Sequence, residues 1–177
     1  MKTQIILLRG VTPMGKNKVP MAALRTALEH AGLEDVRTYI QSGNVLVSSN
    51  LDQRRLERLV HDVIEENFGG DLAVLVREAP YFKDALARNP FAGQDPARLY
   101  FTLLSAKPET GVLDAFLAPG YLPDRIEVID DMAFVLCATK YSDLKINNNF
   151  IERKLKVSAT TRVYNTIAKL VSLSTPR

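Results

Sequence analysis

Apolar residues recur along the chain with two different periods, and the order of those periods predicts the fold. Ile5, Ile6, Leu7 and Leu8 form a short unbroken run that predicts a buried strand over Thr3 to Arg9. A polar loop separates it from a helix over Pro20 to Ala31. There Met21, Leu24, Ala27 and Leu28 share one face, proline opens the first turn and Gly32 stops the helix. Val36 to Gln41 and Val45 to Ser48 alternate around Ser42-Gly43-Asn44, which supplies the turn of a hairpin. Leu56, Leu59, Val60, Val63, Ile64 and Phe68 then repeat at helical spacing through Asp52 to Phe68, with Gly69-Gly70 as the terminator, and Leu72 to Arg77 returns to strand. Strand, helix, strand, strand, helix, strand is the order of the ferredoxin-like plait, an antiparallel sheet covered on one face by two helices.

The pattern then repeats. After a short helix near Tyr81 to Ala87 and a loop from Asn89 to Ala97, strand Leu99 to Leu104 matches Ile5 to Leu8 in character. A helix over Glu109 to Leu117 follows, and Arg125 to Ile129 with Ala133 to Ala138 form a second hairpin around Asp130-Asp131. This repetition predicts a duplicated unit. The second round ends differently from the first: Phe150 to Lys156 and Arg162 to Ser172 both read as helices. Asn149 with Glu152 resembles a capping box for the former, and Thr160 or Thr161 is the expected cap of the latter. The expected fold is α+β, two ferredoxin-like halves with antiparallel sheets plus two C-terminal helices. Its subdomains are residues 1–88 and residues 89–177, the second plait-like with a helical tail.

Charge is segregated along this frame. Lys140 to Arg177 carries eight basic and two acidic residues, and Met1 to Asn50 six and three, whereas Leu51 to Thr139 carries nine basic and fifteen acidic residues. Basic ends around an acidic middle favour an acidic partner, a phosphate above all. The single cysteine excludes an internal disulfide, and Cys137 sits in the apolar run Ala133 to Ala138, where a core thiol is expected. Ile5 to Leu8 is too short for a signal peptide and no later run spans a bilayer, so a cytoplasmic protein with no membrane association is expected. His30 and His61 lie in helical patterns without partner ligands at metal spacing, and no cofactor motif is present.

Three stretches hold more polar chemistry than a fold needs. The loop Gly10 to Asn17 follows a strand and matches the phosphate-loop pattern until its last position, where Asn17 lacks the hydroxyl that holds magnesium. A looser anion site remains, built from amides near Gly15, the positive end of the Pro20 helix, and Arg9, Lys16, Asn17 and Lys18. On the first hairpin, Gln41, Ser42 and Asn44 either make the turn or contact a ligand. The densest stretch is C-terminal: Asn148, Asn149 and Lys154, then Thr160, Thr161, Arg162, Asn165 and Thr166, gathered around two expected helix starts. Caps need one residue per helix and leave a surplus suited to an anion. A base-stacking platform is not expected on the first plait, because Ile5 to Leu8 and Val45 to Val47 contain no aromatic residue. No serine or cysteine nucleophile with its base, and no paired carboxylates, are found, so the catalytic residues are unknown.

Leu8-Arg9-Gly10 through Gly15-Lys16-Asn17-Lys18-Val19, Arg37 to Val45, and Asn148-Asn149-Phe150-Ile151-Glu152 with Ala159-Thr160-Thr161-Arg162 and Asn165-Thr166 together resemble the bacterial family called domain of unknown function 1697. The resemblance covers almost the whole chain. It implies a cytoplasmic protein of two plait-like halves and no assigned activity. Val11-Thr12-Pro13-Met14 departs from the glycine-isoleucine-asparagine-valine-glycine-glycine opening usual in that family, and Val163 stands where asparagine is frequent.

The leading expectation is a binding protein for a phosphate-bearing ligand, a nucleotide or a nucleic-acid backbone. An enzyme acting on a small phosphorylated or carboxylated metabolite, with Lys16 and Arg162 holding the anion, is the second, and a protein interaction module the third. Arg162→Ala is expected to abolish binding with a stability change within ~1 kcal/mol.

Overall fold

The first plait is built from β1 (Lys2–Arg9), α1 (Met21–His30), β2 (Glu34–Tyr39), β3 (Asn44–Ser49), α2 (Gln53–Phe68) and β4 (Ala73–Glu78). The structure is a computed structural model that describes Met1 to Thr175. The sheet runs β2-β3-β1-β4 with all neighbours antiparallel. β1 takes a central place because Ile5, Ile6, Leu7 and Leu8 are each at most 1% exposed, and a strand apolar on both faces belongs inside a sheet. Ile6 and Leu8, with Val45, Val47 and Val76, form one core with Leu24 and Leu28 of α1 and Leu56, Val60 and Ile64 of α2.

The second plait repeats this order with β5 (Leu99–Leu104), α4 (Thr110–Leu117), β6 (Arg125–Ile129), β7 (Met132–Leu136), α5 (Asn148–Leu155) and β8 (Ala159–Val163). Its sheet runs β6-β7-β5-β8, again antiparallel throughout. Leu104, Val135 and Cys137 pack there against Phe116, Ile151 and Leu155. α3 (Ala79–Ala87) follows β4, and α6 (Tyr164–Ser174) follows β8. The described residues divide into two compact units, Met1–Lys83 with residues 170–175, and Asp84–Lys169. Among the described residues, no helix is long and apolar enough to cross a membrane.

The duplication extends to the helix ends. Asp52 caps α2 by accepting from the Arg55 amide at 2.9 Å, and Asn147 caps α5 by accepting from the Phe150 amide at 3.1 Å. Both helices close on a left-handed residue, Gly69 at φ 71° and Lys156 at φ 60°.

Two local expectations are corrected. Thr160, Thr161 and Arg162 are not a helix start; they lie on β8, opposite Leu103, Thr102 and Phe101, and the last helix begins only at Tyr164. β-branched threonines suit a pleated surface, so the second half ends in a fourth strand as the first half does. The cap of α5 is Asn147 rather than Asn149: the Asn147 side chain accepts from the Phe150 amide three residues on, and Asn149 already lies inside the helix.

Candidate functional site

In the first unit, much of the polar chemistry predicted for a ligand is occupied by the fold. The Gln41 amide nitrogen donates to the Val19 carbonyl at 2.9 Å and so holds the segment that leads into α1. Asn44 is fully buried and donates to the Tyr39 carbonyl at 3.0 Å and to the Ser42 hydroxyl at 2.9 Å, which locks the hairpin turn. The loop after β1 is also internally braced. Thr12 N donates to Asn17 O at 3.0 Å, Lys18 N to Gly15 O at 3.2 Å, and the Thr12 hydroxyl to Met14 O at 2.7 Å. Those two amides are therefore turned to the loop's own carbonyls. Lys16 and Lys18 are exposed, Arg9 is half-buried at the end of β1, and Asn17 Oδ1 is buried without a hydrogen-bond donor among the described residues.

In the second unit the predicted residues separate into buried and exposed groups. Thr161 donates to Asn148 Oδ1 at 2.5 Å and stands 2.7 Å from the Thr102 hydroxyl, a hydroxyl chain that ties α5 to the sheet. Thr160 is 1% exposed and Arg162 8%, and Arg162 Nη1 donates to the Thr160 hydroxyl at 2.8 Å and to the Thr161 carbonyl at 2.9 Å. Thr166 is buried, whereas Asn149, Lys154 and Asn165 are exposed. The second plait, unlike the first, does carry aromatic residues on its central strands. Phe101 and Phe134 nevertheless meet edge to face at 4.9 Å and are fully buried, so they offer no stacking surface.

One predicted residue opens onto a cavity. Lys154 lies on the rim of a cleft of about 480 Å³ formed by α4, the loop after it and α5. That volume falls in the range of small-ligand sites. Lys145 and Lys156 supply two further ammonium groups, and Phe116, Tyr121 and Phe150 an aromatic wall. None of the lining residues is acidic. Among the described residues, none of the three lysines forms an ion pair. The Phe150 ring gathers cations, with Lys145 Nζ at 5.6 Å, Arg153 Cζ at 5.4 Å and Lys154 Nζ at 5.7 Å from its centre. Tyr121 donates its hydroxyl to the Phe116 carbonyl at 2.5 Å, and burial pushes its pKa up, so it stays a neutral donor.

Of this cleft, the sequence points to the lysines of the C-terminal stretch, Lys154 with Lys156, and does not single out Lys145, Tyr121 or Phe150 as site residues. One signal was available: Phe150 and Lys154 stand four residues apart on a helix, hence on one face. Tyr121 and Lys145 come from other segments and carry no local mark. A second cleft, about 460 Å³ in the first unit beside the Lys2–Glu78 ion pair, contains none of the predicted residues.

Two further groups bear on chemistry. Burial pushes the Cys137 thiol up to about 11, with the Asp124 carboxylate adding to the shift and Arg98 opposing it, which makes this a core thiol and a poor nucleophile. His61 does have carboxylates nearby, contrary to the sequence reading. Its Nε2 is 2.9 Å from Asp71 and its Nδ1 3.5 Å from Asp62. Candidate ligand atoms of His61, Asp62 and Glu65 lie within 4.8 Å of one another on the exposed side of α2.

Comparison with known proteins supports the fold and the family. A conserved bacterial protein from Streptococcus pneumoniae, SP0830, superposes with a TM-score of 0.79 at 22% identity, covering 98% of this chain and 99% of that one. At that identity the likeness is one of fold. No curated protein matches the chain. A family model matches residues 1–134, and the chain belongs to the family described as protein of unknown function DUF1697.

Proposed function

We propose that this protein binds a phosphate-bearing ligand, a nucleotide or a nucleic-acid backbone, in the cytoplasm, and that the phosphate is held in the cleft between α4 and α5. The observation that carries the reading is the set of Lys145, Lys154 and Lys156 around one cavity with no carboxylate in its wall. Like charges brought together without counterions repel, and an anion that enters relieves that repulsion while gaining charge-assisted hydrogen bonds. The basic excess of Lys140 to Arg177 agrees with this, and Arg153 joins Lys145 and Lys154 over the Phe150 ring. An unpaired cysteine held in the core is in keeping with a reducing compartment.

The test is fluorescence anisotropy of labelled nucleotides and of single-stranded and duplex DNA and RNA across a salt series. Binding is expected to weaken steeply with salt, and Lys154→Ala is expected to flatten the log–log slope by about 0.7–0.9. Gly111→Glu places a carboxylate in the cleft at a helical position where a Cβ meets nothing within 4 Å, so it is expected to oppose binding without disturbing the fold. Lys16→Ala reports whether the loop after β1 takes part. Binding that survives both Lys154→Ala and Gly111→Glu unchanged would remove the cleft as the site.

A further inference from the structure

We infer that the ligand of this cleft is a nucleotide unit, with its base laid against Phe150 and Tyr121 and its phosphate on the lysines; this rests on the phosphate reading above. A site for a bare inorganic anion needs donors and cations, and an apolar wall works against it, because a hydrated phosphate loses water there without a partner. This wall is aromatic and apolar on one side and cationic on the other. Phe116, Tyr121 and Phe150 lie with centroids 5.4 to 6.1 Å apart, and Val112 and Pro119 continue the surface. Phe150 is half-buried, so part of its ring stays available to the cavity.

The polarity of the wall also selects among phosphorylated molecules. A sugar phosphate has no π-face to set against Phe150 and Tyr121, whereas every nucleobase has one. Phe150 links the two halves of the site: Lys145, Arg153 and Lys154 lie over the ring, each less than 6 Å from its centre, and a base that takes a place on the ring has these cations at its edge. Base and phosphate thus fall within one nucleotide of each other. The cavity of about 480 Å³ is of single-ligand size, too small for a duplex. A free nucleotide and one nucleotide of a single strand present the same chemistry, and the measurement separates them.

The protein is titrated with sodium tripolyphosphate, adenosine, ATP and a short single-stranded oligoadenylate, with calorimetry for affinity and proton NMR for the base. ATP is expected to bind about tenfold or more tighter than tripolyphosphate, with upfield shifts of its base protons from ring stacking. Phe150→Leu is expected to erase that difference by weakening ATP binding more than tripolyphosphate binding, while Lys154→Ala weakens both. The NMR shift is read on the unaltered protein, so the inference stays testable even where Phe150→Leu loses stability. An oligoadenylate that outcompetes ATP supports the inference with a strand as the source, and ATP equal to the oligomer supports it with the free nucleotide. Tripolyphosphate equal to ATP, with unshifted base protons, overturns the base and leaves the phosphate reading standing. Failure of both to bind overturns the phosphate reading and the inference with it.

Discussion

Arg77 and Arg162 stand at equivalent register positions in the two sheets, Arg77 opposite Ile5 on β1 and Arg162 opposite Phe101 on β5. Each is 8% exposed, and each turns Nη1 back to the carbonyl of the residue before it, at 2.7 Å for Val76 and 2.9 Å for Thr161. A buried guanidinium held in this way is part of the architecture. Arg77 adds a contact at 3.8 Å to Glu57, whose carboxylate also accepts from the Val76 amide, and it lies over the Tyr81 ring at 5.5 Å.

Replacing either arginine by alanine is therefore expected to destabilise its unit by about 2–3 kcal/mol, because it removes a buried charge-assisted network and leaves acceptors without donors. For Arg162 this revises the expectation of a change within ~1 kcal/mol that treated it as a surface contact. Urea denaturation followed by circular dichroism measures it, and a midpoint equal to that of the parent protein would place Arg162 outside the fold's support.

Steric room, rather than residue type, decides what happens at the glycines. A Cβ on Gly43 falls 2.7 Å from Leu8 Cβ and 3.0 Å from Val11 Cγ2, and the residue sits at φ +88°. The Gly43 carbonyl also accepts from the Leu8 amide, so the turn cannot shift without losing that bond. Gly43→Ala is expected to cost more than about 2 kcal/mol. Gly111, in the first turn of α4 with open space around it, is expected to gain up to about 1 kcal/mol as alanine. Opposite signs in thermal melts of the two variants are the check.

Most of the fold was legible because its signals are local. Leu99–Leu104, an apolar run like Ile5 to Leu8, and Arg125–Ile129, set off by the turn residues Asp130-Asp131, are legible with their observed bounds. β8 was not, since Thr160, Thr161 and Arg162 resemble a polar cap until Thr102, 59 positions away from Thr161, supplies the strand and the hydroxyl that explain them. The cleft failed for the same reason. Tyr121, Lys145 and Phe150 belong to three separate segments, and only the plait brings them to one cavity. Conversely, the amides and hydroxyls at Gln41, Asn148 and Thr161 that suggested a ligand are absorbed by hydrogen bonds between separate elements that no local pattern announces, while Asn44 serves the turn it lies in.

Lys156 separates stability from binding within a single residue. It closes α5 in the left-handed region at φ 60°, where a side chain is strained and glycine is not, and it also lines the cleft. Lys156→Gly is expected to raise stability by about 0.5–1 kcal/mol while it weakens phosphate binding. A variant that melts higher and still binds as tightly would show that this ammonium takes no part in the site.

The His61–Asp71 contact joins α2 to the chain just past the Gly69-Gly70 stop, and its charge state sets a pH window. The hydrogen bond to Asp71 is the largest influence on His61 and raises its pKa above the usual 6.5, with Asp62 and Glu65 adding to it and partial burial opposing. The same bond is the largest influence on Asp71 and holds its pKa below the usual 3.8. The histidine's contribution is fully present below 6.5 and is lost as pH rises through the raised value; the aspartate's is present above 3.8 and is lost as pH falls through the lowered one. The pair is thus at its strongest between those limits. Melting temperatures of the parent protein and Asp71→Asn, taken from acid to mildly alkaline pH with a chelator to keep metal off His61, Asp62 and Glu65, are expected to differ most in that window and to converge as the imidazole loses its proton. A gap that stayed constant across the alkaline side would mean that the bond holds the loop without the charge, with neutral imidazole still donating to the carboxylate there.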